Sequence, residues 1–171
     1  VGRHFIKKGC YHTGVLTHDT SFPIMRMWMK GFLDVFAEAG HPIAAEDIIL
    51  CNTSSASAVE VCEDLYRRGK MPQALFCESD VLAHGVLYAC HNLGLIIPND
   101  LEVFTIGITM PELNDFAIPS LSRIDIPMGL IGEECMRLIT ALIEKKKKPA
   151  QGNLFENPEI EPTKNELAKI R

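Results

Sequence analysis

Four short apolar runs alternate with longer amphipathic stretches, and this alternation restricts the chain to few architectures. The runs are Gly14-Val15-Leu16-Thr17, Ile48-Ile49-Leu50-Cys51, Ala74-Leu75-Phe76-Cys77 and Val103-Phe104-Thr105-Ile106. Each is too short for a helix and has the near-continuous apolar character of a strand covered on both faces. Between them, apolar residues recur three and four apart. Residues 22–39 carry Phe22, Met25, Met29, Phe32, Leu33 and Phe36 on one helical face. The stretch opened by Asn52-Thr53-Ser54-Ser55 runs to about Arg68 and turns Val59, Cys62, Leu65 and Tyr66 inward. The stretch opened by Glu78-Ser79-Asp80 does the same with Ala83, Val86, Leu87 and Cys90. Gly9, Gly40, Gly69 and Gly94 stand at helix stops. Residues 2–9 read as a short opening helix. A loop with Pro111, Asn114 and Pro119 follows the fourth run, residues 121–126 alternate, and Pro127 opens a last helix to about Glu144.

Strands joined through helices at this spacing predict an α/β fold: a three-layer parallel sheet with helices on both faces. In such sheets ligands bind at the carboxyl ends of the strands. The loops that matter are therefore 17–24, 52–55, 78–80 and 107–117.

Composition narrows the function. The 171 residues carry a net charge of −5, which argues against gripping nucleic acid by bulk electrostatics. No apolar run approaches the roughly 18–20 residues that cross a bilayer, so no membrane contact is expected. The chain opens Val1-Gly2-Arg3 with neither an initiator Met nor a signal-peptide pattern, and reads as part of a longer protein. Its six cysteines, at 10, 51, 62, 77, 90 and 135, form no C-x-x-C pair and fall on strand-like and helix-like segments. They are expected as free thiols in a reducing compartment, not as disulfides or zinc ligands.

The sequence carries few signatures of catalysis. There is no phosphate loop, nucleophile elbow or H-e-x-x-H pair, so no enzyme, cofactor or metal is expected. His12 and His18 flank a strand and read as surface or turn residues. In Glu78-Ser79-Asp80, Asp80 or Ser79 is a helix cap, a ligand contact, or both. Trp28, the single tryptophan, is either a core or interface filler or a platform for an apolar or sugar-ring face. Arg26 lies off that apolar face, solvated or in reach of an anion. The lysines at 145–148 read as a solvated helix end.

The run Pro72-Gln73-Ala74-Leu75-Phe76-Cys77-Glu78-Ser79-Asp80-Val81-Leu82-Ala83-His84-Gly85 resembles the "P-x-A … D-x-x-A-x-G" signature of the LacI/GalR family of bacterial transcriptional regulators. Gly94-Leu95-Ile96-Ile97-Pro98-Asn99-Asp100-Leu101-Glu102-Val103 continues it in register. Gly9 to Gly14, Gly31-Phe32 and Pro119-Ser120-Leu121-Ser122-Arg123-Ile124 match further pieces in the family's order.

The resemblance implies a type I periplasmic-binding-protein-like lobe. Residues 1–171 would be the C-terminal lobe of an effector-binding and dimerisation core, with 1–12 a remnant of the N-terminal lobe and the DNA-binding domain outside this chain. It implies a cytoplasmic repressor whose operator affinity changes when an effector binds between the lobes. The alternative is half of a secreted solute-binding protein. The implied partners are a small effector, a second copy of the chain, and operator DNA through the missing domain. The implied effector contacts are Trp28, Arg26, Thr53, Ser79, Asp80 and Gly107; the implied dimer contacts are Val81, His84 and Phe116. Trp28 stands where the family often has an effector-holding Arg, Gly107 where it often has an Asp, Thr53 where it often has an aromatic residue, and Ser79 where it often has an Asn. A charge-assisted Arg bond contributes about 1.5–3 kcal/mol, so its loss argues against an ordinary sugar held in the ordinary way and leaves three outcomes: a less polar effector stacked on Trp28, which is preferred, a core that answers to a protein partner, or a regulator with no small effector.

Overall fold

A computed structural model describes residues 1–18, 23–107 and 111–143. Two compact units divide the chain, Val1–Ile126 and Pro127–Arg171. The first is an α/β unit. Its elements are α1 (Gly2–Lys7), β1 (Thr13–Thr17), α2 (Pro23–Glu38), a 3-10 turn (Ala45–Asp47), β2 (Ile48–Leu50), α3 (Ser55–Arg67), β3 (Ala74–Cys77), α4 (Asp80–Leu93), β4 (Glu102–Gly107), α5 (Pro111–Phe116) and β5 (Ser122–Asp125). The described part of the second unit is one amphipathic helix, α6 (Met128–Ile143), with Leu130, Ile131, Met136 and Ile139 exposed. Ile131 N–H bonds to the carbonyl of Pro127, which opens the helix as its sequence position predicts.

The five strands form one parallel sheet in the order β2-β1-β3-β4-β5. Alternation along the central strands divides their side chains between two cores. Leu16, Leu75, Cys77 and Val103 point to one face, where Ala58 and Cys62 of α3 and Leu82, Ala83, Val86 and Cys90 of α4 cover them. Val15, Ala74, Phe76, Phe104 and Ile106 point to the other, against Phe5 of α1 and Phe32 and Phe36 of α2. This is the three-layer arrangement predicted from the alternation. Phe32 stacks on Phe76 at 4.7 Å and meets Phe5 edge-on at 6.2 Å. The buried Glu102 then fastens α1, accepting from Lys8 Nζ at 2.8 Å and lying 3.3 Å from His4 Nε2.

Helix stops fall where glycine allows them. Gly94 closes α4 in the left-handed region at φ +73°, and its N–H reaches the carbonyls of Cys90 and His91. A side chain with a Cβ is strained in that backbone.

Three expectations are corrected. The second apolar run is not a doubly covered strand: β2 lies at the sheet edge, and Leu50 is 69% exposed. A strand's own residues do not encode its place in the strand order. Tyr66 of α3 is exposed, because Ala58 and Cys62 set the buried stripe about one residue away from the expected face. Part of the loop after β4 is helical, as α5. Phe22, Glu144 and the lysines at 145–148 lie outside the described residues.

All six cysteines are free, with Cys62, Cys77 and Cys90 buried and Cys135 exposed. Burial pushes the Cys62 thiol up to about 12 and the Cys90 thiol up to about 11, from an ordinary value of 9.0. Between those limits the folded chain keeps protons that the unfolded chain has released. Stability is therefore full below pH ~9 and is lost as pH rises through about 11 and 12. Urea midpoints compared at about pH 8 and about pH 10.5 should fall on going up, and fall less in Cys62→Ala. An identical fall in both proteins would assign it to other groups.

Candidate functional site

In a parallel sheet every strand points its carboxyl end to the same edge, so the βα loops converge there. Thr17 and His18, residues 51–54, Glu78 to Asp80, and Gly107 meet at that edge here. Glu78, buried at the end of β3, organises the centre. Its Oε2 accepts the Thr17 hydroxyl and the His18 backbone N–H, the latter at 2.7 Å, while its own N–H bonds to Leu16 O at 2.9 Å. The His18 imidazole then turns over the strand end, with Nε2 3.1 Å from Ser79 Oγ. Among the described residues, His18 Nδ1 is buried without a hydrogen-bond partner.

Ser79 caps α4: its Oγ accepts the Leu82 N–H at 3.5 Å from extended backbone. Ser54 does the same for α3 through the Ser57 N–H at 3.3 Å. The Ser55 hydroxyl bonds to Val81 O at 2.8 Å and ties the two helix starts together. The positive ends of two helices thus sit beside the Glu78 cluster.

The structure spreads the effector residues proposed from sequence. Ser79 and Thr53 lie on the edge, with Thr53 exposed. Arg26 is exposed on α2, whereas Trp28 is half-buried against the phenylalanine core. Asp80 is 0% exposed, its Oδ2 accepting Asn114 Nδ2 at 3.2 Å and its Oδ1 accepting the Val81 N–H at 3.1 Å. Gly107 offers no side chain, and a Cβ there would sit 2.9 Å from Asp125 Oδ1 and 3.0 Å from Arg123 Cδ. The missing side chain makes room for the Arg123 guanidinium, which bonds to Asp125 at 2.6 Å and Asp115 at 2.8 Å.

Of the dimer candidates, Phe116 is 80% exposed, with Leu113, Ile118 and Tyr88 also exposed. Val81 is half-buried, its backbone engaged by Asp80 and Ser55. His84 is half-buried and bonds within its own chain, Nε2 lying 2.9 Å from Asn114 Oδ1.

Sequence reasoning passed over His18, Glu78 and Asn114 as functional residues. His18 and Glu78 sit at the ends of parallel neighbours β1 and β3, a pairing that strand order would have suggested. Asn114 lay in a stretch read as loop and gave no signal.

A separate cavity of about 650 Å³ lies at the opposite, amino-terminal edge, lined by His12, Asp47, Ile49, Asp64, Leu65 and Lys70 among others. It shares no residue with the carboxyl-edge cluster. Among the described residues, no group of three or more His, Cys, Asp or Glu could hold a metal, and no helix is long and apolar enough to cross a membrane.

Comparison with known proteins places this geometry in context. The sequence profile of the periplasmic binding protein-like domain matches residues 3–162. Catabolite control protein A of Priestia megaterium is 32% identical over 118 residues, covering 69% of this chain and 35% of that protein. The HTH-type transcriptional repressor PurR of Actinobacillus pleuropneumoniae serotype 3 (strain JL03) is 28% identical over 159 residues, covering 92% and 47%. This chain therefore spans less than half the length of either relative. A LacI family transcription regulator from Clostridium acetobutylicum superposes with a TM-score of 0.81 at 27% identity, over 86% of this chain and 55% of that one.

Proposed function

We propose that this chain, which belongs to the periplasmic binding protein-like domain family and within it to the LacI/GalR type of transcriptional regulator, is the C-terminal lobe of that regulator's effector-binding and dimerisation core. Residues 1–12 enter from the N-terminal lobe. Operator DNA is bound by a domain outside this chain, in the cytoplasm, and the chain is a binding module, not an enzyme. The observation that carries this reading is the polar cluster on the carboxyl edge, where His18 and Ser79 close over the buried Glu78 between two capped helix starts.

In this reading the effector lies on Ser79 and Thr53, with Trp28 and Arg26 contributing from α2. Asp80 supports Ser79 from beneath, and Gly107 leaves space. A small metabolite that satisfies Ser79 and a helix start needs no Arg clamp. The exposed Phe116, with Leu113, Ile118 and Tyr88, forms the apolar surface on which a second copy docks, beside Val81 and His84.

The test titrates the full-length protein with neutral sugars, amino sugars and nucleobases while following Trp28 fluorescence and retention of operator DNA. One class is expected to change both. Ser79→Ala should then weaken its binding by about tenfold, the value of one lost hydrogen bond. An effector whose affinity ignores both Ser79→Ala and Thr53→Ala would place the site elsewhere.

A further inference from the structure

Asn114 is a polar side chain with no solvent exposure at all, and it is spoken for at both ends. Its Nδ2 lies 3.2 Å from Asp80 Oδ2, and its Oδ1 lies 2.9 Å from His84 Nε2. Asp80 and His84 are both on α4, at its first turn and one turn later, while Asn114 comes from α5. The amide therefore links the carboxyl edge of the sheet to the part of α4 that carries His84; Tyr88 on α4 and Leu113 and Phe116 on α5 are exposed.

The polarity of this chain is set by its inner end. A carboxylate only accepts, so Asn114 must present its NH2 to Asp80. Its carbonyl oxygen is then left facing His84, which must donate from Nε2. When neutral, the imidazole is thereby held as the Nε2–H tautomer. Asp80 follows Ser79 directly, and Ser79 carries the capping hydroxyl that touches His18. Any shift of Ser79 at the edge displaces Asp80, then the amide, then the imidazole.

We infer that Asn114 is a positioning residue that couples the carboxyl-edge site to the α4–α5 surface, by fixing the orientation and tautomer of His84 according to the state of Asp80. The inference rests on the effector-site and dimer reading above for its biological meaning, but not for its physical content. Removing the carboxylate charge at Asp80 frees the amide to turn over, since an Asn at 80 both donates and accepts. His84 then loses its enforced donor role without any change on the surface itself.

The experiment reads His84 by nitrogen-15 NMR in the full-length protein, with and without Asp80→Asn. The parent is expected to show the Nε2–H tautomer alone, and Asp80→Asn a mixture of the two. In parallel, sedimentation measures self-association. Asp80→Asn should change the dissociation constant by about threefold or more, and the change should vanish when His84→Gln is already present. His84→Gln removes the imidazole while keeping a side-chain donor, so it tests coupling without emptying the site. An unchanged His84 tautomer in Asp80→Asn would overturn the inference, as would an equal change in association with and without His84→Gln. A protein that is monomeric throughout would instead overturn the dimer reading. The tautomer would still decide the role of Asn114.

Discussion

Gly85→Val is expected to destabilise the α/β unit of residues 1–126 more than almost any other single substitution of a small residue. Gly85 lies on α4 where α3 crosses closest. A Cβ built there falls 2.3 Å from Ser55 O, 2.9 Å from Ala58 Cβ and 3.0 Å from Ser55 C. Two of these three atoms are backbone, so no rotamer change relieves the clash. The start of α3 is also fastened, by the Ser54 cap and by the Ser55 hydroxyl on Val81 O. The helices must therefore separate, opening the core of Ala58, Cys62, Leu82, Ala83 and Val86. Overpacking typically costs about 1–3 kcal/mol, and a backbone clash belongs at or above the top of that range. Melting should fall by roughly 6–12 °C, with Gly85→Ala intermediate. Gly31→Ala is the control, because a Cβ there meets nothing within 4 Å and an Ala in a helix interior gains up to about 1 kcal/mol. Equal melting of Gly85→Val and the parent would show that α3 and α4 do not approach so closely.

Phe36→Ala should cost about 3–5 kcal/mol, the usual price of removing a fully buried aromatic side chain. Phe36 has no exposed surface and packs on Phe32 at 5.2 Å, which in turn stacks on Phe76 of the sheet. Truncation leaves a cavity between α2 and β3 that rigid rings fill poorly. Phe36→Leu keeps most of the volume and should lose less than half as much. Urea unfolding provides the measurement: a lower midpoint with an unchanged slope marks lost stability, not a changed unfolded state. If Phe36→Ala and Phe36→Leu unfold together, the ring does not pack as described.

Both predictions rest on residues that the sequence marked in different ways. Phe36 belongs to the periodic apolar face of residues 22–39, where spacing alone indicates burial. Gly85 closes the D-x-x-A-x-G run that carried the family resemblance, and the close approach of Ser55 O explains why that position holds glycine. The candidate site was less legible. Ser79 and Ser54 could be read as caps, because capping is a relation between neighbours three residues apart. Glu78 could not be read as the centre of a cluster. Its partners, Thr17 and His18, lie about sixty residues earlier in the chain. For Asp80 the sequence leaves a helix cap and a ligand contact both open, and its partner Asn114 comes from α5, an element whose sequence reads as loop.

Local patterning along the chain was enough for the α/β class, the helix stops at glycine and part of both cores, such as Phe32, Phe36, Val86 and Cys90. These follow from period, turn chemistry and hydrophobicity, which act over a few neighbouring residues. That β2 is an edge, that Asp80 faces inward and that His84 bonds to Asn114 emerge only in the folded chain. Those outcomes depend on strand order and on which buried polar groups find partners across 30 residues or more. A buried donor or acceptor must be satisfied by whatever the fold brings to it, and no local pattern in the chain records that choice.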